Sequence, residues 1–165
     1  MIEPTKIDFV IYHANCTDGF GAAYAAWKCL GNKAEYLAAK HGDAPPDVTG
    51  KNVAILDFSY DNATTKSMIE SADDLIVIDH HIGVTEKPKA LAVINPNRID
   101  ENFEHKNICG ATVSFLVAVA VNKQLREEGF YQDKKEPNLM ALLDLVALGT
   151  VCDVMPLTGL NRALV

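Results

Sequence analysis

The sequence predicts an α/β fold, a parallel sheet flanked by helices, with a C-terminal third that is mainly helical. Three observations carry this. Short β-branched apolar runs end in polar turns and lead into helical stretches. Those runs are almost continuously apolar, as strands covered on both faces require. After Arg98 the pattern changes to long Ala/Leu/Val-rich stretches.

Taken in order, Ile7–His13 reads as a strand, and Phe20–Leu30 as a helix closed by Gly31. Asn52–Asp57 is a second strand, Ala63–Ser71 a short helix, and Asp74–Asp79 a third strand. Leu91–Ile94 is a candidate fourth, stopped by Asn95-Pro96-Asn97, where Pro96 denies the ladder a donor. Cys109–Glu128 and Pro137–Leu148 are expected helices joined by the charged link 127–136, with Pro137 at a first helical position and Gly149 at the helix end. Gly159–Val165 reads as the start of another helix. Phe20, Tyr24 and Trp27 share a helical face and are expected to pack on the sheet.

A chain of 165 residues fits one domain. No apolar run approaches the ~20 residues of a membrane span, and the N-terminus lacks the layout of a signal peptide, so a soluble cytoplasmic protein without membrane partners is expected. Four cysteines (Cys16, Cys29, Cys109, Cys152) form no CxxC pair, and reduced thiols are the default. Cys16 and Cys152 read as small apolar fillers. With 15 basic and 22 acidic residues the net charge is −7, which argues against a free-standing polyanion binder. His41 and His105 read as surface residues.

In an open parallel sheet, ligands gather beyond the carboxyl ends of the strands. The first predicted strand runs into His13-Ala14-Asn15-Cys16-Thr17-Asp18-Gly19, the second into Asp57, and the third into Asp79-His80-His81. A fourth acid, Asp153, follows a long helix. Any one aspartate at a strand end is commonly a turn former. Paired histidines beside converging carboxylates need cations or partners to offset desolvation and mutual repulsion. Asp and His donors suit manganese or magnesium better than zinc.

Together these segments resemble the DHH phosphoesterase superfamily, named for the triplet present here as Asp79-His80-His81. YHANCTDGFGAA is similar to short bacterial DHH phosphoesterases. ALAVINPNR, NICGATVSFL and ALLDLVALGTVCDVMPLTGLNR are similar to RecJ-type single-strand DNA exonucleases. The resemblance implies two Mn2+ ions, with Mg2+ as a substitute. It implies His13, Asp18, Asp57, His80 and Asp153 as ligands, Asp57 bridging both ions, and His81 facing the phosphate. Asp79 is expected to orient His80 from outside the ligand shell. The RecJ-type first motif carries an additional aspartate where this chain has Asn15, Cys16 and Thr17, and Asn15 offers only a neutral oxygen there. Arg98, and less so Arg162, are candidates for phosphate contact, with a surface role the plainer reading of both.

The implied function is metal-dependent phosphodiester hydrolysis on single-stranded DNA in repair or recombination. Alternatives are a phosphoesterase for short oligonucleotides or nucleotides, and an inactive DHH scaffold. No segment resembles the DHH-associated substrate-binding domain of family members. Residues 1–165 are therefore expected to be a DHH catalytic domain that is incomplete at its C-terminus, with that second domain supplied in cis.

Overall fold

Alternation along the strands sorts the apolar side chains onto the two faces of one sheet. The computed structural model describes residues 6–82 and 88–165. Its strands are β1 (Phe9–His13), β2 (Glu35–Ala39), β3 (Asn52–Leu56), β4 (Asp74–Ile78) and β5 (Ala92–Ile94). The helices are α1 (Thr17–Leu30), α2 (Asn62–Ser71), α3 (Gly110–Glu127), α4 (Leu143–Cys152) and α5 (Gly159–Leu164). Ile11, Val53, Ile55, Leu75 and Val77 meet Phe58, Tyr60 and Met68 on the face covered by α2. Val10, Ala54, Leu56 and Ile78 meet Ala22 of α1 and Val113 of α3 on the other face. The period of two that alternates these positions is that of a pleated strand. Each fully buried aliphatic side chain contributes about 1.5–3 kcal/mol.

The sheet is wholly parallel, in the order β2-β1-β3-β4-β5. The chain moves outward one way to β2 and the other way from β3 onward. The crevice where that direction reverses lies between the carboxyl ends of β1 and β3. Strand pairing continues one residue past the strands: Ala14 N–H donates to Ala39 O, Asp57 N–H to Ile78 O and Asp79 N–H to Ile94 O, at 2.8, 2.8 and 3.0 Å. The residues that leave the sheet are thus held as firmly as those within it.

Four features differ from what the sequence suggests. Glu35–Ala39 forms an edge strand that the sequence does not announce, because its Glu and Ala residues have weak strand preference and only Ala39 is buried. The stretch from Pro137 is not one helix: a 3-10 turn spans Leu139–Leu142, and α4 begins at Leu143. Gly149 lies inside α4 rather than at its end. A Cβ there would stand 2.8 Å from Ala111 Cβ and 2.9 Å from Asp18 Oδ1, so the glycine serves close packing of α4 on α3 and α1. Phe20 and Trp27 are exposed, and with Tyr24 they stack along the outer side of α1 at centroid separations of 6.5 and 5.9 Å. Among the described residues no helix is long and apolar enough to cross a membrane.

Candidate metal centre

The switch crevice gathers acids and imidazoles from five parts of the chain. His13 ends β1, Asp57 follows β3, and Asp79-His80-His81 follows β4. Asp18 lies in the first turn of α1, and Asp153 caps the C-terminus of α4. Asp57 is the centre. It has φ 64°, a left-handed conformation that aspartate tolerates better than bulkier residues. His13 Nδ1 stands 3.5 Å from its Oδ2, and His80 Nε2 stands 3.1 Å from its Oδ1. His80 Nε2 is also 3.6 Å from Asp153 Oδ2 and 3.7 Å from Asp18 Oδ2.

Among the described residues, three sets of potential ligand atoms each lie within 4.8 Å of one another: His13, Cys16 and Asp57; Asp57, His80 and His81; and Asp18, His80 and Asp153. The first two sets share Asp57 and the last two share His80. Both Oδ atoms of Asp57, Nδ1 of His13 and Oδ2 of Asp153 are buried without a hydrogen-bond partner. Buried polar atoms are normally satisfied, and several such orphans converging on one crevice fit cations as the missing partners. The residues present therefore suit a divalent-metal centre.

Asp18 is docked rather than free. Its Oδ2 and Oδ1 accept the Gly110 and Ala111 N–H groups at 2.5 and 2.8 Å, which places a carboxylate on the otherwise unsatisfied amides at the start of α3. Burial and the adjacent Asp57 charge push Asp18 up to about 6, against the pull of those amides and of His80. Burial likewise raises Asp153, with Asp57 adding to it and His80 opposing. Burial works against the charged form of His80, but Asp57, Asp153 and Asp18 outweigh it and raise the imidazole above its ordinary value. Burial pushes the Cys16 thiol up.

The structure gives Asp79 a different partner from the one expected. Its Oδ1 lies 2.7 Å from His81 Nδ1 and accepts the backbone N–H groups of His80 and His81 at 2.7 and 3.2 Å. It therefore orients the His81 ring, while His80 receives only a backbone contact. That bond raises His81 above its ordinary value despite partial burial. Asp79 itself is held below the usual carboxylate range, because its bonds to His81 outweigh the burial that opposes them.

The Asn95-Pro96-Asn97 turn proves to be a clamp. Asn95 Nδ2 donates to His81 O at 2.9 Å and Asn97 Nδ2 to His80 O at 2.5 Å. His41 is exposed, as expected of a surface residue, but its ring lies 5.4 Å from that of His13 and 6.1 Å from that of His81. Asn15 is exposed with φ 57°. Cys16 faces the cluster instead of an apolar core, and Cys152 is exposed. Arg98 is committed elsewhere: it forms a two-pronged pair with Asp100 at 2.9 and 2.6 Å and donates to Val93 O at 2.7 Å. A phosphate would have to displace that carboxylate.

Residues 8–150 match the DHH family, N-terminal domain. The chain belongs to the DHH family. Among curated relatives, the single-stranded-DNA-specific exonuclease RecJ of Escherichia coli (strain K12) is 47% identical over 92 residues, covering 54% of this chain and 16% of that protein. RecJ of Thermus thermophilus is 35% identical over 104 residues, covering 63% and 14%. The DHH chain thus spans about a sixth of the length of these relatives. The crystal structure of Thermus thermophilus RecJ in complex with Mn2+ superposes with a TM-score of 0.70 at 26% identity, covering 97% of this chain and 23% of that one. A second structure, exonuclease RecJ bound to manganese, shares the fold with a TM-score of 0.67 at 24% identity, covering 97% and 42%.

Proposed function

We propose that this DHH domain hydrolyses phosphodiester bonds with two divalent cations, manganese by preference, and that it acts on single-stranded DNA as an exonuclease. The observation that carries the reading is the Asp57 carboxylate, buried without a hydrogen-bond partner and flanked by the His13 and His80 imidazoles in the crevice. Likeness to a Mn2+-containing RecJ structure supports the choice of metal. His13, Asp18, Asp57, His80 and Asp153 would hold the ions, with Asp57 shared. When bound, such a pair supplies activation of water and neutralisation of phosphate charge. His81, oriented by Asp79, which raises its pKa and so favours its protonated form, donates from its other ring nitrogen to a phosphate oxygen. The Asn95 and Asn97 clamps keep both imidazoles in register with the crevice.

The test is hydrolysis of an activated phosphodiester and of an end-labelled single strand by chelator-stripped protein resupplied with Mn2+. Activity that disappears in Asp57→Asn is the expected result. Equal rates for both proteins, or no hydrolysis despite bound metal, would defeat the reading, and the latter outcome would leave a binding scaffold.

A second reading, a phosphoesterase for short oligonucleotides, is favoured by one observation, the net charge of −7. Gripping a long polyanion needs a basic or aromatic groove, and Arg98 is already paired. A dinucleotide cleaved faster than a long strand would select it, and strand degradation would then depend on a second domain in cis.

A further inference from the structure

Cys16 occupies the N-cap position of α1, where Ser, Thr, Asp and Asn are favoured because their oxygens cap the helix amides. No side-chain cap bond is formed there, although the Gly19 and Asp18 N–H groups of the first turn approach its sulfur and favour the charged form. It belongs to neither buried apolar cluster, so it is no core filler. Its Sγ instead lies within 4.8 Å of ligand atoms of His13 and Asp57. His13 Nδ1 and both Asp57 oxygens are buried without hydrogen-bond partners, with ion-pair distances of 3.5 Å from His13 to Asp57 and 3.1 Å from Asp57 to His80, and they face the sulfur. The left-handed turn at Asn15 precedes it, and Asn15 and Thr17 on either side are exposed.

We infer that Cys16 is a metal ligand, completing with His13 and Asp57 a mixed sulfur, nitrogen and oxygen site on one side of the centre. The inference rests on the metal-centre reading above and deepens it. On binding, the thiol proton leaves to solvent and the sulfur lone pair is donated to the cation, with no change of oxidation state. A thiolate supplies the negative charge that Asn15 cannot. It also makes this site softer than the one formed by Asp18, His80 and Asp153. Soft donors favour Co2+, Zn2+ and Cd2+ relative to Mn2+. The centre is therefore asymmetric, with one site tuned to hard ions and one receptive to thiophilic ions.

The experiment titrates the metal-free 165-residue chain with Co2+ in oxygen-free buffer and follows two signals, the visible Co2+ bands and the near-ultraviolet sulfur-to-cobalt charge-transfer band. Both should appear in the native chain. The charge-transfer band should vanish in Cys16→Ser and in Cys16→Asp, yet survive in the Cys29→Ser/Cys152→Ser double variant. Cys16→Asp should also lower the ratio of Cd2+ to Mn2+ affinity. If Cys16→Ser fails to fold, Cys16→Asp decides alone, together with protection of Cys16 from alkylation by Cd2+ in the native chain. Visible bands without the charge-transfer band, or a band that persists without Cys16, overturn the ligand role while leaving the metal centre intact. No Co2+ signal of either kind overturns both.

Discussion

His80 Nε2 and Asp57 Oδ1 stand 3.1 Å apart with both side chains buried, and each residue belongs to two of the three ligand sets in the crevice. Without cations, Asp57 brings a carboxylate into low dielectric beside the His13 and His80 imidazoles. With cations, the same carboxylate serves two sites at once.

Asp57→Asn is therefore expected to abolish the stabilisation given by Mn2+. In the native chain, Mn2+ at a hundred times its dissociation constant should add about 2.7 kcal/mol. For a domain of this size that raises Tm by roughly 5–10 °C. The shift should disappear in the variant, as read by thermal melts with and without Mn2+. A variant melt that still moves by the native amount would remove Asp57 from the centre.

Gly110 tests how tightly the centre is built into the helix packing. A Cβ on it would collide with Asp57 Oδ1 and approach Asp18 Oδ2 to 2.9 Å. Gly110→Ala should cost about 1–3 kcal/mol through overpacking. It should also weaken Mn2+ binding, because the atoms displaced are carboxylate oxygens. Calorimetric titration of a variant that melts lower but binds Mn2+ as the native chain does would show that these oxygens are not ligands.

The metal-free protein should lose stability as pH rises from about 4 through 7. Asp18 is pushed up to about 6 by burial and by Asp57, above its unfolded value of 3.8, so the cost of ionising it is absent at low pH and complete above its folded value. His80 adds in the same direction: its folded value is raised, so its stabilising contribution is present below the ordinary value of 6.5 and is lost as pH climbs through the folded one. Asp79, held low, acts only below its ordinary 3.8, outside this window. Mn2+ affinity should rise over the same interval, since the cation competes with the Asp18 proton. Denaturant melts at pH 5 and pH 7 that show greater metal-free stability at pH 7 would contradict this.

Much of the fold and site is legible in the sequence, for a physical reason. Doubly buried strands must be apolar runs, and a parallel sheet puts their carboxyl ends on one side, so His13, Asp57 and His80 can be placed at that side from the strand ends they follow. His41 shows where this reasoning stops. It follows the carboxyl end of β2, but β2 is an edge strand with little buried surface, so its sequence carries no strand signal and its histidine reads as surface. Gly149 misleads in another way, because a glycine that permits close helix packing is written the same as one that ends a helix. The exposed Phe20 and Trp27 defeat helical periodicity, since a stripe of aromatics marks a face without saying what covers it. Asn95 and Asn97 look like turn formers, and they are, but the carbonyls they clamp lie 14 and 17 residues away.

Asp79→Asn separates positioning from ligation. The Asp79 carboxylate touches the His81 ring at 2.7 Å and gathers two backbone N–H groups, but it belongs to none of the three ligand sets. Asparagine keeps an oxygen for the amides and loses the charge that raises His81. The variant should therefore fold, retain the full Mn2+ thermal shift that Asp57→Asn loses, and hydrolyse an activated phosphodiester more slowly. Because His81 must be protonated to donate, and its folded value falls without the Asp79 carboxylate, the alkaline limb of kcat/KM should move to lower pH. The His81 ring resonances in an NMR titration should move with it. Superimposable pH profiles for the two proteins would detach His81 from proton donation, whereas loss of the Mn2+ shift would make Asp79 a ligand instead of an orienting group.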